Sequence, residues 1–231
     1  MPALIAVSDT ITGSPRGALA LTGLASTMAV AALALEVSRR RRVAWIAGLV
    51  FATSPWFIIQ SGTYLAYPAT VALLAAATAL TLRGVRTEST GLLVAAGATF
   101  GLAVFHRPYD AVLGGLAVFV WLVVSSGWSR TLARRLAALA AGAAPFGLLL
   151  VGYNAVVTGD PLTLPFSVVS PLDRFGFGDR SSLADPGQPG PFVFTVTKAW
   201  GTVVDFGASL ADWLPGSLLV LPLVWLCLLY T

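Results

Sequence analysis

The chain has 231 residues, 57% hydrophobic and only 10% charged, with a mean hydropathy of +0.84. Soluble domains carry about 25% charged residues, so a water-soluble fold of this composition would lack the polar surface to cover itself. The formal charge of +4 and the pI near 9.7 come from arginines at the ends of apolar runs rather than along one face, which marks membrane topology and gives no reason to expect a nucleic-acid partner.

A helix needs roughly 20 apolar residues, and about 17 at least, to cross a hydrocarbon core about 30 Å thick. That criterion predicts an all-α, polytopic helix bundle of about seven spans within a single transmembrane domain. The first covers 17–35 and ends at the run Arg39, Arg40, Arg41, Arg42; the second covers 43–59 and the third 64–82, followed by Arg83 and Arg86. The fourth (91–105) and fifth (111–124) are short and flank His106-Arg107-Pro108-Tyr109-Asp110. The sixth covers 136–153 and the seventh 215–231. Pro55, Pro68, Pro145 and Pro222 lie within or at the edges of spans, where proline breaks or kinks helices. Gly97 and Gly101 form a small-xxx-small pair suited to close helix packing within the chain. Cys227, the single cysteine, lies in the last apolar run, so neither an intrachain disulfide nor a cysteine metal cluster can form.

Short cytoplasmic loops carry an excess of Lys and Arg. Alternating the loops places nine arginines inside: Arg39 to Arg42, Arg83, Arg86, Arg130, Arg134 and Arg135. Glu36 and Glu88 also fall inside, while all eight aspartates fall outside. The expected location is therefore a cell membrane, multi-pass, with the segment 154–214 on the non-cytoplasmic side. An outside start without a basic leader, and a last span with no arginines after it, lead us to expect an interior piece of a larger membrane protein.

No run of internal Asp, Glu, Lys or His marks a proton relay or an ion path. Polar character gathers instead at the outer ends of the spans. Arg107 beside Asp110 is either a snorkelling arginine next to a helix-capping aspartate or an anion site, since a planar guanidinium suits phosphate oxygens. His106 has no second histidine or acidic cluster at metal-ligand spacing. From Asn154 to Pro191 the chain is too polar and too rich in Gly and Pro to cross a bilayer and reads as an ordered loop or small flap. Residues 192–214 read as one or two interfacial helices. With Tyr64 and Tyr67 at the mouth of the third span, the loop residues Asn154, Asp160, Asp173 and Arg174 are expected to close over a cavity that binds a phosphate at its polar end and admits a prenyl chain on its apolar side.

Three stretches carry a resemblance: SPWFIIQSGTYLAYP (54–68), GLAVFHRPYD (101–110), and YNAVVTGDPLTLPF (153–166) with LDRFGFG (172–178). In these residues and in the order of spans, nearly the whole chain resembles the polytopic membrane glycosyltransferases of the GT-C fold. The bacterial members similar to aminoarabinose transferases and protein O-mannosyltransferases, the glycosyltransferase family 39-like group, are nearest in pattern. The resemblance implies inverting transfer of a sugar from a polyprenyl-phosphate donor to an acceptor on the non-cytoplasmic face. A carboxylate would act as general base, and cations or a divalent metal would stabilise the phosphate leaving group. No metal-ligand set is visible, and the cofactor is unassigned. Members commonly show His where this chain has Tyr67, and the loop carrying their catalytic aspartate has no counterpart here. The catalytic residues are therefore expected upstream of Met1, and the fragment alone is expected to be inactive. A transporter or flippase for a lipid-linked substrate is the alternative, since broken helices put proline and glycine at membrane depth there too. A non-catalytic membrane scaffold is a third reading.

Overall fold

The structure is a computed structural model that describes residues 6, 8–11, 13–14, 16–62, 67–169, 177–181 and 191–213. These residues are mostly helical and fall into two compact units, one within Met1–Leu148 and one within Leu149–Leu228, each described by itself. The first unit holds α1 (Arg16–Ser38), α2 (Arg41–Ala52), α3 (Pro55–Ser61), α4 (Tyr67–Arg86), α5 (Thr90–His106), α6 (Pro108–Ser126) and most of α7 (Arg130–Thr158). The second holds the end of α7, a short α8 (Pro165–Val169), strands β1 (Gly178–Ser181) and β2 (Pro191–Phe194), and α9 (Val196–Trp213).

Among the described residues, α1, α4, α6 and α7 are long and apolar enough to cross a membrane. A fifth candidate arises if α2 and α3 count as one span, and α5 is apolar but only 17 residues long. The predicted seventh span, 215–231, lies outside the described residues.

The predicted second span, 43–59, is broken at the proline expected to break or kink it: α2 and α3 are bent by 63° between Ala52 and Pro55. Pro55 has no N–H to give the preceding turn and disfavours a helical residue before it. Ser54 accordingly adopts φ −66°, ψ 134°, and its hydroxyl accepts the Phe57 N–H at 3.3 Å to start α3 afresh. The predicted end of the sixth span at Tyr153 also moves, because α7 continues through Asn154 to Thr158 with Pro145 inside it. Within the segment 154–214, β1 and β2 pair antiparallel, with Gly178 opposite Phe194 and Asp179 opposite Val193.

Small side chains hold the first unit together. Ala77, Ala96 and Ala103 are fully buried, and Leu122 and Leu132 anchor a cluster with Val118. Ser26, also fully buried, lies within hydrogen-bonding reach of the carbonyls of Thr22, one turn earlier, and of Pro68 at the start of α4. Gly97 packs so closely on α7 that a Cβ there would overlap the Leu139 carbonyl, and Gly142 meets the Val94 carbonyl in the same way. The small-residue pair of the sequence is thus a crossing point of α5 and α7 within one chain.

This crossing gives a test with opposing terms. Gly→Ala in an exposed helix gains up to about 1 kcal/mol in propensity, whereas overpacking costs about 1–3 kcal/mol. Gly97→Ala should therefore lower the melting temperature in detergent, whereas Gly115→Ala, with nothing within 4 Å of the added methyl, should hold or raise it. A stabilised Gly97→Ala protein would refute the packing at this crossing.

Candidate functional site

Arg107 closes α5 and opens α6 at once. Its N–H donates to the Ala103 carbonyl at 2.7 Å, and its own carbonyl accepts the Ala111 N–H at 3.1 Å. Pro108 at the first position of α6 forces the residue before it out of helical geometry, and Arg107 sits at φ −146°, ψ 88°. The side chain is thereby thrown clear of both helix axes. Its Nε donates to Asp110 Oδ2 at 2.8 Å, one turn into α6, where a carboxylate also suits the positive end of the helix dipole. The guanidinium carbon lies 4.2 Å from the centre of the Tyr67 ring at the start of α4, a cation–π contact.

Three of the predicted site residues, Tyr67, Arg107 and Asp110, therefore meet at the ends of α4, α5 and α6. Two contacts fix the guanidinium plane, yet a guanidinium has five N–H donors and only Nε is taken by Asp110. Among the described residues no acceptor is bonded to its Nη groups. The side chain is about one-third exposed, so this pre-oriented fork faces a partly wet surface able to receive a two-oxygen anion. Asp110 orients the guanidinium rather than capping α6, because no side chain caps that helix.

Asn154 and Asp160 form a separate cluster in the second unit. Asn154 is buried on the last turns of α7, where its Nδ2 donates to the Pro161 carbonyl at 3.2 Å and its Oδ1 has no donor among the described residues. Gly159, at φ +79°, turns the chain, and Asp160 then accepts the Leu162 N–H at 3.0 Å and the Thr163 hydroxyl at 2.6 Å. Thr158 donates toward the carbonyls of Asn154 and Asp160. The hydroxyls of Thr158 and Thr163 were not singled out from the sequence; the signal for them is a threonine on either side of Gly-Asp-Pro. Tyr64, Asp173 and Arg174 lie outside the described residues. Among the described residues no group of three or more His, Cys, Asp or Glu side chains is placed to hold a metal ion.

The Thr163 hydroxyl and then the Leu162 N–H hold the exposed Asp160 carboxyl below its ordinary range. Because the folded value is depressed, the turn is most stable above the unfolded value of about 3.9 and loses that contribution as pH falls through the folded one. Thr163→Val should raise the Asp160 value, read from its carboxyl carbon shift in an NMR titration. An unchanged midpoint would remove the hydroxyl as the cause.

Matched against protein-family models, curated proteins and solved structures, the chain finds no counterpart in any of the three.

Proposed function

We propose that this chain is part of a multi-pass membrane glycosyltransferase of the GT-C type that takes a sugar from a polyprenyl-phosphate donor on the non-cytoplasmic face. The observation that carries this reading is the Arg107 fork, fixed by Asp110 and Tyr67 at a helix break, with its Nη groups turned to no described acceptor. In the transfer the acceptor oxygen bonds to the sugar's anomeric carbon as the bond from that carbon to the phosphate oxygen breaks. Arg107 stabilises the negative charge that gathers on the departing phosphate. Asp110 is engaged with Arg107, and Asp160 with its own turn, so neither is assigned as the base that takes the acceptor proton.

In this reading the chain contributes about seven crossing segments. They include the bent pair α2–α3, the short α5 and the apolar run 215–231. The arginine-rich ends of α1, α4 and α7 face the cytoplasm and the 154–214 segment faces outward. In a Cys227→Ser background, a cysteine at Thr195 should react with an impermeant thiol reagent in intact cells, and one at Thr131 only after permeabilisation. The reverse pattern would invert the topology.

The donor site is tested with Arg107→Lys and Arg107→Ala in the full-length protein. Loss of a charged hydrogen bond to phosphate costs about 1.5–3 kcal/mol, so polyprenyl-phosphate binding should fall roughly ten- to hundredfold, with the melting temperature nearly unchanged. Unchanged binding in both variants would return Arg107 to a structural role. The 63° break between α2 and α3 favours a second reading, a transporter or flippase for a lipid-linked substrate. Movement of labelled lipid between leaflets without sugar transfer would decide for it.

A further inference from the structure

The first unit contains a second feature besides Arg107. A groove of about 200 Å³ runs between α5, α6 and α7, lined by Phe100, Gly115, Phe119, Leu122, Leu139 and Ala143 among other apolar residues. It exists because Gly115 has no side chain where there is room for one: a Cβ there would meet nothing within 4 Å. Hydrocarbon is the solvent around such helices, so an open apolar groove fits a lipid chain.

The end of the groove is polar and cationic. Four residues past Leu122 on α6 is Ser126, and four residues before Leu139 on α7 is Arg135, which places both about 6 Å further toward the same pole. Arg135 Nη1 donates to Ser126 Oγ at 2.6 Å, bridging the two helices there. Arg130 and Arg134 are exposed on the opening turns of α7. Here α7 has no acidic residue in its first turn, so three cations crowd the positive end of its dipole. Of the other arginines assigned to this pole, Arg86 and Arg39 lie 2.7 Å and 3.6 Å from Glu36 Oε2, and Arg40, Arg41, Arg42 and Arg83 have no carboxylate partner among the described residues but do not line this groove. Among the described residues no carboxylate pairs with Arg130, Arg134 or Arg135. Trp128, 84% exposed beside them, has the amphipathic ring that settles at the boundary of hydrocarbon and headgroups.

We propose that this groove and its three arginines form a binding site for one anionic phospholipid, with an acyl chain along α5, α6 and α7 and the phosphate on Arg135 and its neighbours. A zwitterionic lipid can fill the apolar part equally well; only an anionic headgroup also relieves the unanswered charge at the start of α7. The proposal rests on the helices being membrane-embedded and not on sugar transfer, so a chain that binds no polyprenyl phosphate still tests it.

The test is native mass spectrometry of the full chain in detergent, titrated with dioleoyl phosphatidylglycerol or dioleoyl phosphatidylcholine. One phosphatidylglycerol should be retained, with a preference on the order of tenfold over phosphatidylcholine. Gly115→Leu, which fills the groove while leaving every arginine in place, should lower retention of both lipids. Arg135→Gln should abolish the preference and Arg135→Lys should keep most of it. If Arg135→Gln lowers the melting temperature, the exposed pair Arg130→Gln with Arg134→Gln carries the same expectation. Arg41→Gln with Arg42→Gln should change nothing. Equal retention of the two lipids by the unaltered chain would overturn the proposal. So would undiminished retention in Gly115→Leu, or a preference that falls equally in the Arg41 and Arg42 variant, since either marks diffuse attraction to a basic surface.

Discussion

The rest of the first unit depends on how closely α5 and α7 approach one another. In hydrocarbon, apolar side chains gain nothing by leaving the solvent, so helices associate by contact and by backbone proximity. Gly97 and Gly142 allow that proximity reciprocally, each placed against a carbonyl of the other helix. Gly101 adds a third close contact, near Ala143. With α5 and α7 this close, α6 packs through the cluster of Val118, Leu122 and Leu132 and leaves the groove at Gly115. Proline, not this apposition, ends α5 at His106, because Pro108 forces Arg107 out of helical geometry. Crossing point, groove and helix break are consequences of where the chain has glycine and proline.

The charged groups obey a different logic at each pole. Glu36, whose side chain is only 10% exposed, joins the ends of α1 and α4 through Arg86, an off-line contact at 2.7 Å that acts as an ion pair rather than a linear hydrogen bond. Removing Arg86 would leave a largely buried carboxylate with only Arg39 nearby, which makes that pair structural. Arg107 and Asp110 are about one-third exposed and sit three residues apart in sequence. Pairs of that kind contribute about 0–1 kcal/mol, so the fold gains little from holding them. What the geometry secures there is direction: the extended backbone before Pro108 and the Tyr67 face together aim a guanidinium outward.

Helix existence was legible in the sequence because apolar runs of spanning length leave few other outcomes. The Arg107–Asp110 contact was legible too, since proline fixes the residue before it and the i, i+3 spacing does the rest. Tyr67 could be placed at the mouth of its span from its position, but its stacking on Arg107 depends on how α4 meets α5. Ser26 fixes one part of that arrangement, the carbonyl of Pro68 next to Tyr67. A lone serine in an apolar span does not announce which carbonyl it reaches. The break at Ser54 was signalled by Pro55, yet hydropathy across 43–59 is uninterrupted, so a length criterion joins what the backbone divides. The extension of α7 to Thr158 was hidden for the opposite reason. Asn154 and Thr158 look like loop residues until their hydrogen bonds to the Pro161, Asn154 and Asp160 carbonyls are seen.

The position of the polar groups also bears on the choice between transfer and transport. Transporters place their sites near the midplane, at helices broken there, with half-helix ends and unwound carbonyls facing the substrate. The break between α2 and α3 follows twelve residues of α2, about 18 Å from its basic end, which is the depth such a site requires. Yet the residues there, Thr53-Ser54-Pro55-Trp56-Phe57, carry no charge, and the Ser54 hydroxyl is already used in capping α3. The oriented cation instead stands at the junction of α5 and α6 beside the first residue of α4, at helix ends and not halfway along them. A charged headgroup can be held there at the surface while its hydrocarbon tail stays in the bilayer. In the proposed reading that is the arrangement a surface transfer from a lipid-linked donor needs, which is why the proposal rests on Arg107 rather than on the broken helix.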